Sequence, residues 1–208
     1  MPGLRADEIE GRSMAIIDGL LPRGDWSPGE RAVVKRLVHT SGDPSLAASV
    51  RFSAGAVEAA ATALRDGASV FTDTHMVRIG VNESRVVAYG GTLECLIADE
   101  AIVEESRRTG RTRAACAMRA FGGRLDGAVV AVGNAPTALR EVLALAAEGV
   151  ARPALVIGMP VGFVDAAESK AALMEAGLPF MAIEGTRGGS PLAAATVNAL
   201  LRVAGGEV

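Results

Sequence analysis

Residues 128–148 read AVVAVGNAPTALREVLALAAE, an apolar run followed by a short turn and a longer amphipathic stretch. The run 128–132 predicts a buried strand, because short strands that are apolar throughout are typical of parallel sheets. Pro136 stands just inside the helix predicted over 136–148, at a position where its missing N–H is tolerated. A strand followed directly by a helix is the repeating unit of βαβ folds. The stretch therefore predicts an α/β fold with a parallel sheet.

The same alternation continues along most of the chain. Further strands are predicted over 69–72, 92–97, 154–157 and 180–183, and further helices over 99–108, 112–121, 165–176 and 190–203. The first part of the chain is instead helical, with helices predicted over 5–20, 28–41 and 54–66 and a Pro/Gly turn over 21–25. Residues 73–91 show no clean period and carry no prediction. We expect an open, mostly parallel sheet flanked by helices, with a helical N-terminal segment, in one domain spanning residues 1–208.

Net charge, apolar patterning and cysteine placement argue against several classes of protein and site. The net charge of −3 argues against a nucleic-acid-binding protein, which would normally be basic. The sequence contains neither a signal-peptide pattern nor the ~18 uninterrupted apolar residues of a membrane span, so we expect a cytoplasmic protein without membrane contact. Cys95 and Cys116 stand apart from each other and from the two histidines, so we expect no disulfide and no metal site.

The helix predicted over 28–41 has well-marked ends. Ser27 can accept the N-cap hydrogen bond, Pro28 suits the first helical position, and Glu30 completes a capping box. Gly42 then ends the helix. The apolar positions of this helix form one stripe, which leaves Lys35, Arg36 and His39 on much of the opposite side.

His39 is the best candidate for acid–base chemistry. It lies in the last turn of that helix, where the partial negative charge of the helix end favours the imidazolium form and hence a proton donor. The neighbouring cations Lys35 and Arg36 oppose a third positive charge unless an anionic ligand binds among them. The alternative is a surface histidine that only complements the helix end. His75, close to Asp73, is a weaker candidate and is equally compatible with an ordinary loop position.

Ligands of open parallel sheets bind beyond the carboxyl ends of the strands. Those ends carry the loops 72–76, 133–137, 158–163 and 185–190, in which glycines allow close backbone approach and helix N-termini attract anions. The alternative is that Gly, Pro and Asn serve only to turn the chain. The run Arg107–Arg113 holds four arginines, which would suit a polyanion or simply form a solvated basic surface. The phosphate-binding signatures GxxxxGK[ST] and GxGxxG are missing from the sequence.

Several blocks together resemble the precorrin-8X methylmutase family of corrin biosynthesis. The most specific are GNAPTAL at residues 133–139 and GMPVGFV at residues 158–164. Shorter matches run over most of the chain and include Arg12-Ser13, Arg36-Leu37-Val38-His39, Asp73 with Met76-Val77, Thr112-Arg113, Glu168-Ser169-Lys170 and Gly188-Gly189-Ser190. Where the family is expected to carry basic residues before the glycine pair, this chain has Glu184-Gly185-Thr186, with Arg187 next to Gly188.

The resemblance implies an isomerase that moves a methyl group from C11 to C12 of a ring-contracted tetrapyrrole, giving hydrogenobyrinate or its cobalt counterpart. It implies a homodimer without a cofactor, with His39 as the proton donor and Ser13 and Arg36 in contact with the substrate. Arg113 is an additional candidate from its motif position. The remaining expected substrate-binding residues lie in the matching blocks and are Asn134, Thr137, Gly188, Gly189 and Ser190. A methyl shift around a conjugated ring needs no redox partner, but protonation and selective binding of one tautomer should accelerate it.

Two alternatives remain at the level of sequence. A corrinoid-binding carrier that hands the product to the next pathway enzyme would use the same residues without turnover. An unrelated doubly wound enzyme would instead use a phosphorylated ligand. The substrate of the methylmutase reaction is either metal-free precorrin-8X or cobalt-precorrin-8, because the matching motifs resemble both branches of the family.

Overall fold

The structure is a computed structural model that describes residues 5–22 and 26–207. Residues 23–25, the last three of the turn predicted over 21–25, lie outside the described residues. The helices are α1 Ala6–Leu20, α2 Pro28–Ser41, α3 Ala56–Arg65, α4 His75–Gly80, α5 Glu83–Ala88, α6 Glu100–Thr109, α7 Arg113–Phe121, α8 Pro136–Ala147, α9 Ala166–Glu175 and α10 Ser190–Ala204. The strands are β1 Val50–Phe52, β2 Val70–Thr72, β3 Leu93–Glu94, β4 Val129–Val132, β5 Leu155–Gly158 and β6 Phe180–Ile183. Short 3₁₀ helices cover Pro44–Ser49 and Gly122–Leu125.

The described strands form one sheet in the order β1-β6-β5-β4-β2-β3. All neighbouring pairs run parallel except β1 and β6, which pair antiparallel through Val50 and Ile183. The prediction of an open, mostly parallel sheet flanked by helices is therefore confirmed. The carboxyl ends of β2, β4, β5 and β6 meet at one edge of the sheet, as the parallel arrangement requires.

Both faces of the sheet are covered. Along β4, Val129 and Ala131 belong to one apolar cluster, and Val130 and Val132 to the other. The first cluster includes α2, α3 and α10, while the second includes α7, α8 and part of α9. Helix α10 packs on α2, α3 and α4 and is buried along most of its length. None of the helices within residues 5–22 and 26–207 has the length and apolarity that crossing a membrane requires.

Four local features differ from the sequence-based expectation. Of the strand predicted over 92–97, only Leu93–Glu94 forms β3. Strand β1 was not predicted, because three residues at a sheet edge carry no usable period. Helices α4 and α5 occupy the unassigned stretch 73–91 and are only six residues each. Helix α3 begins after Gly55, which adopts a left-handed φ of 68°, and not after Ser53. The Ser53 hydroxyl oxygen instead accepts a hydrogen bond from the Phe180 N–H at 2.9 Å.

Candidate functional site

The contact between α1 and α2 positions His39. The capping box predicted at the start of α2 is present, and Gly42 ends the helix in a left-handed conformation with φ 67°. His39 is exposed in the last turn of α2, and its Nδ1 lies 2.9 Å from the hydroxyl of Ser13 on α1. This contact engages one ring nitrogen, and no residue within 5–22 and 26–207 forms a hydrogen bond with Nε2, which can therefore face a ligand. The structure thus brings together two of the residues that the sequence indicated as site residues.

A second contact lies one helical turn away. Arg36 Nη2 donates to Glu10 Oε1 at 2.6 Å, and Arg202 Nη1 of α10 approaches the same oxygen at 3.2 Å. Glu10 precedes Ser13 by three residues, as Arg36 precedes His39. The hydrogen bond from Arg36 and its positive charge, together with that of Arg202, hold the pKa of Glu10 below its usual value. Glu10 is therefore an anion at neutral pH, paired with two guanidinium groups.

Two adjoining cavities open beside this ion pair. Each has a volume of about 350 Å³, and both are lined by Glu10, Arg36 and Arg202. Lys35 adds a third cation to the first cavity, and Arg85 adds one to the second. Glu207 also lines the first cavity and pairs with Arg85 at 2.7 Å and with Arg202 at 3.5 Å. The four cations that line the two cavities therefore outnumber their two carboxylates, so this region can accept a further negatively charged group.

At the carboxyl ends of the strands, Asp73 braces the loop that follows β4. Its buried carboxylate accepts hydrogen bonds from the N–H groups of Gly133 at 3.0 Å, Asn134 at 2.8 Å and Ala135 at 2.8 Å. Burial raises the pKa of the Asp73 carboxyl, and the three N–H donors act in the opposite direction. The side chain of Asn134 is left exposed at the sheet edge.

The neighbouring loop before α7 is tied to the start of α8. The hydroxyl groups of Thr112 and Thr137 lie 2.7 Å apart. Three arginines of the run 107–113 pair with glutamates: Arg107 with Glu104, Arg108 with Glu105, and Arg111 with the buried Glu141. Arg113 is exposed and has no such ion pair among residues 5–22 and 26–207. Of the four arginines, Arg113 is therefore the one available to an anionic ligand.

The loop before α10 is packed tightly against β5. A Cβ atom on Gly188 would overlap the carbonyl oxygen of Met159 and lie 2.8 Å from that of Pro160. Gly189 adopts a φ of 123°, and the buried Ser190 hydroxyl lies 3.3 Å from that of Thr74. Gly188, Gly189 and Ser190 thus shape this edge of the sheet through the backbone more than through exposed side chains.

Ion pairs and a hydrogen bond from a buried lysine also fix the loop before α10. The fully buried Lys170 donates from Nζ to the Arg187 carbonyl oxygen at 2.6 Å, and desolvation lowers the pKa of its ammonium group to about 8. The Arg187 guanidinium pairs with Asp43, and Glu184 pairs with Arg51 at 2.5 Å. The charges that depart from the family pattern in this loop are therefore engaged within the protein.

The predicted site residues form two groups. Ser13, Arg36 and His39 lie on the α2–α10 side of the sheet, while Thr137 and Arg113 belong to α8 and α7 on the other side. Helix α2 runs antiparallel to α10, since Gly29 lies near Val203 and Thr40 shares a cavity with Ala195. His39 and Ser190 are therefore at the same end of the molecule, and Asn134 follows β4 at that end.

Sequence reasoning did not identify four residues of this region. Glu10 and Arg202 were missed because their contacts join distant parts of the chain. The sequence marks Asp73 only as a neighbour of His75 and as part of a matching block, and it marks Lys170 only as part of a matching block. The available signals are a charged residue next to an apolar strand and a lysine at a buried helix position. In residues 5–22 and 26–207, no group of three or more His, Cys, Asp or Glu side chains is placed to hold a metal ion.

Comparison with known proteins gives consistent matches. The family model described as precorrin-8X methylmutase matches residues 8–203. A cobalt-precorrin-8 methylmutase from Priestia megaterium is 40% identical, with 95% of this chain and 88% of the relative covered. A precorrin-8X methylmutase from a Sinorhizobium species is also 40% identical, with 92% and 91% covered. The crystal structure of precorrin-8X methylmutase from Thermus thermophilus superposes with a TM-score of 0.87 at 43% identity, with 96% and 99% covered.

Proposed function

The chain belongs to the precorrin-8X methylmutase family, and from this premise we propose the reaction and the roles of its residues. The protein is an isomerase of cobalamin biosynthesis that moves a methyl group within a precorrin-8-type substrate. The proposed shift takes the methyl group from C11 to C12 of the macrocycle, and it changes neither the composition nor the oxidation state of the substrate. The observation that carries the proposal is the contact of His39 with Ser13, one helical turn from Arg36, whose side chain lines a cavity, in a chain of this family.

His39 is the proposed proton donor. When Nδ1–H donates to the Ser13 oxygen at 2.9 Å, Nε2–H points away from that contact and can donate to the substrate. A proton placed on the conjugated ring withdraws electron density and eases migration of the methyl group. Ser13 acts by orienting the imidazole, and its role is distinct from the proton transfer itself.

Arginines meet the carboxylates at the periphery of the substrate. Arg36 is 21% exposed and lies one turn from His39, so a carboxylate bound there would also favour the imidazolium form. Arg113, Asn134 and Thr137 present charge and hydrogen-bonding groups at the sheet edge. The backbone of Gly188, Gly189 and Ser190 closes that edge. A flat macrocycle needs few aromatic contacts here, because small side chains form a flat binding surface.

The test is turnover followed by visible absorption. Purified protein is mixed with metal-free precorrin-8X, and spectra are recorded over time beside a sample without protein. We expect conversion to the corrin chromophore, with a rate constant at least about 100-fold lower in His39→Ala, as loss of a general acid predicts. His75→Ala is the matched control, since His75 is the other histidine of the chain and is also exposed. This control should retain turnover within about threefold.

Three results would change the assignment. Full activity in His39→Ala would remove His39 from the mechanism, and loss of activity in His75→Ala alone would transfer the role to His75. A spectrum that shifts at once and then stays fixed indicates a carrier that binds without turnover. In that case cobalt-precorrin-8 is tested next, because turnover of the cobalt form would identify the natural substrate and exclude the carrier.

We also propose that the protein acts as a homodimer and passes its product to the next enzyme of the pathway. Phe163 and Val164, which follow β5, are 93% and 85% exposed, and apolar side chains of this size are usually covered. Analytical ultracentrifugation should give twice the mass of one chain. A Phe163→Asp variant that is monomeric would support the use of this surface, while a monomeric wild-type protein would contradict the proposal.

A further inference from the structure

Glu10 occupies a position that suits a carboxylate of the ligand. Its Oε1 lies 2.6 Å from Arg36 Nη2 and 3.2 Å from Arg202 Nη1, so two guanidinium groups from different helices converge on one oxygen. Arginine recognises carboxylates in this way in binding sites as well as within folds. The ion pair stands between the two cavities of about 350 Å³, with Lys35 close by. The protein thus supplies its own carboxylate at the place where an anionic ligand would bind.

The geometry relative to His39 is defined by the two helices. Glu10 and Ser13 are three residues apart on α1, and they face Arg36 and His39, also three residues apart, on α2. Three residues of helix correspond to about 4.5 Å along the axis. A carboxylate on Arg36 would therefore lie one turn from the imidazole, within the reach of a side chain carried by a ring that contacts His39.

Among residues 5–22 and 26–207, the polar contacts of the Glu10 side chain are its ion pairs with Arg36 and Arg202. Its side chain is 42% exposed, and α1 buries few apolar groups, since Ile9, Ile16 and Leu20 are each more than half exposed. A change of side-chain rotamer is sufficient to withdraw the Glu10 carboxylate into solvent. Exposed or half-exposed ion pairs are weak, so exchanging one carboxylate for another costs little.

We propose that Arg36 and Arg202 form a two-armed carboxylate subsite next to His39, that Glu10 occupies this subsite in the free protein, and that a peripheral carboxylate of the substrate displaces Glu10 on binding. The proposal rests on the proposed function and adds Arg202 to the residues that recognise the substrate. Glu10 is then an internal competitor that keeps the two guanidinium groups aligned until the ligand arrives.

The test is the affinity for the metal-free corrin product, hydrogenobyrinate, measured by absorbance titration of the wild-type protein and variants. Glu10→Gln removes the competing charge but keeps the size of the side chain, so it should lower Kd about two- to fivefold, as expected for a partly exposed ion pair. Arg202→Gln should raise Kd by a similar factor. If Glu10 served only to hold Arg36 in place, Glu10→Gln would raise Kd instead of lowering it.

Glu148→Gln is the matched control. Glu148 is 48% exposed and pairs with Arg119 at 2.9 Å, and its replacement removes the same charge as Glu10→Gln does. It lies at the C-terminal end of α8, about 18 Å along that helix from Pro136 and the sheet edge that carries Asn134. The control should change log Kd by less than half as much as Glu10→Gln does. An equal effect would mean that overall charge, and not displacement, is responsible.

The two proposals fail in different ways. If the wild-type protein turns over its substrate but Glu10→Gln does not bind the product more tightly, the displacement of Glu10 is refuted and the methylmutase proposal stands. If the wild-type protein neither turns over the substrate nor binds hydrogenobyrinate or its cobalt counterpart, both are refuted. Thermal unfolding of each variant establishes that the changes in Kd are measured on folded protein.

Discussion

Replacement of Asp73 by asparagine tests whether the loop after β4 depends on a buried carboxylate. In the wild-type protein both carboxylate oxygens accept backbone N–H groups, one from Gly133 and two from Asn134 and Ala135. The amide of asparagine has one acceptor oxygen and one NH₂ group of nearly the same size. Whichever way the amide is oriented, at least one backbone N–H then faces another donor.

The loss of stability expected for Asp73→Asn follows from these contacts. A buried donor without an acceptor costs about 1–3 kcal/mol, and the remaining hydrogen bonds weaken because their acceptor is no longer charged. The neutral amide also removes the cost of burying a charge, which is the reason that burial raises the pKa of Asp73. We therefore expect a net loss of about 1–3 kcal/mol of stability. For a chain of this size that corresponds to a melting temperature lower by about 2–12 °C.

The assay combines thermal unfolding with steady-state kinetics. Because the loop presents Asn134 and begins α8, we expect Asp73→Asn to raise KM more than it lowers kcat. Asp99→Asn is the control: Asp99 is exposed and caps α6 by accepting from the Ala101 N–H at 3.0 Å, a role that asparagine fills equally well. If Asp73→Asn has the same melting temperature as the wild-type protein, or if the control loses as much stability, the carboxylate does not stabilise the loop.

Two further substitutions probe the loop before α10. Gly188→Ala should lower the free energy of unfolding by about 1–3 kcal/mol and weaken product binding, because its Cβ meets backbone oxygens of Met159 and Pro160. Gly19→Ala is the control, since its new Cβ meets no atom within 4 Å. Equal urea midpoints for the two variants would contradict this prediction. Lys170→Met should gain about 1 kcal/mol at pH 7, because burial of the ammonium costs more than its hydrogen bond to the Arg187 carbonyl oxygen contributes. The folded pKa of Lys170, about 8, is below the usual 10.5, so the wild-type protein regains stability as pH rises through this window. Urea unfolding at pH 7, 9 and 10.5 should show the advantage of Lys170→Met shrinking, and a constant difference would refute the assignment.

Most of the sheet was predictable because its strands are short apolar runs bounded by turn residues. Strand β6 matches the predicted range 180–183, and α2 matches 28–41, where several independent signals mark the helix ends. The misses have a common physical cause. Strand β1 has three residues and α4 and α5 have six, so none spans enough residues to show a period. Their structure depends on tertiary contacts, such as the antiparallel pairing of β1 with β6.

The candidate site was predictable in part for a similar reason. His39 could be selected from local sequence, because a histidine in the last turn of a well-capped helix is a local feature. Ser13 and Arg36 followed from the resemblance to the family. The partners that hold them could not be predicted, since the contact of Glu10 with Arg202 joins residues 192 positions apart. The same holds for Arg187, whose pairing with Asp43 only the folded structure reveals.

The N-terminal helix α1 gains a role from this arrangement that its weak packing alone does not suggest. The pairs Ser13–His39 and Glu10–Arg36 join α1 to α2 at positions one helical turn apart on each helix. A shift of α1 by one residue would turn its side chains by about 100° and break both contacts together. Orientation of the proposed proton donor and occupancy of the carboxylate subsite are therefore coupled through one helix. A ligand carboxylate that displaces Glu10 removes one of the two contacts, and the hydrogen bond of Ser13 to His39 then remains to keep the imidazole oriented during the reaction.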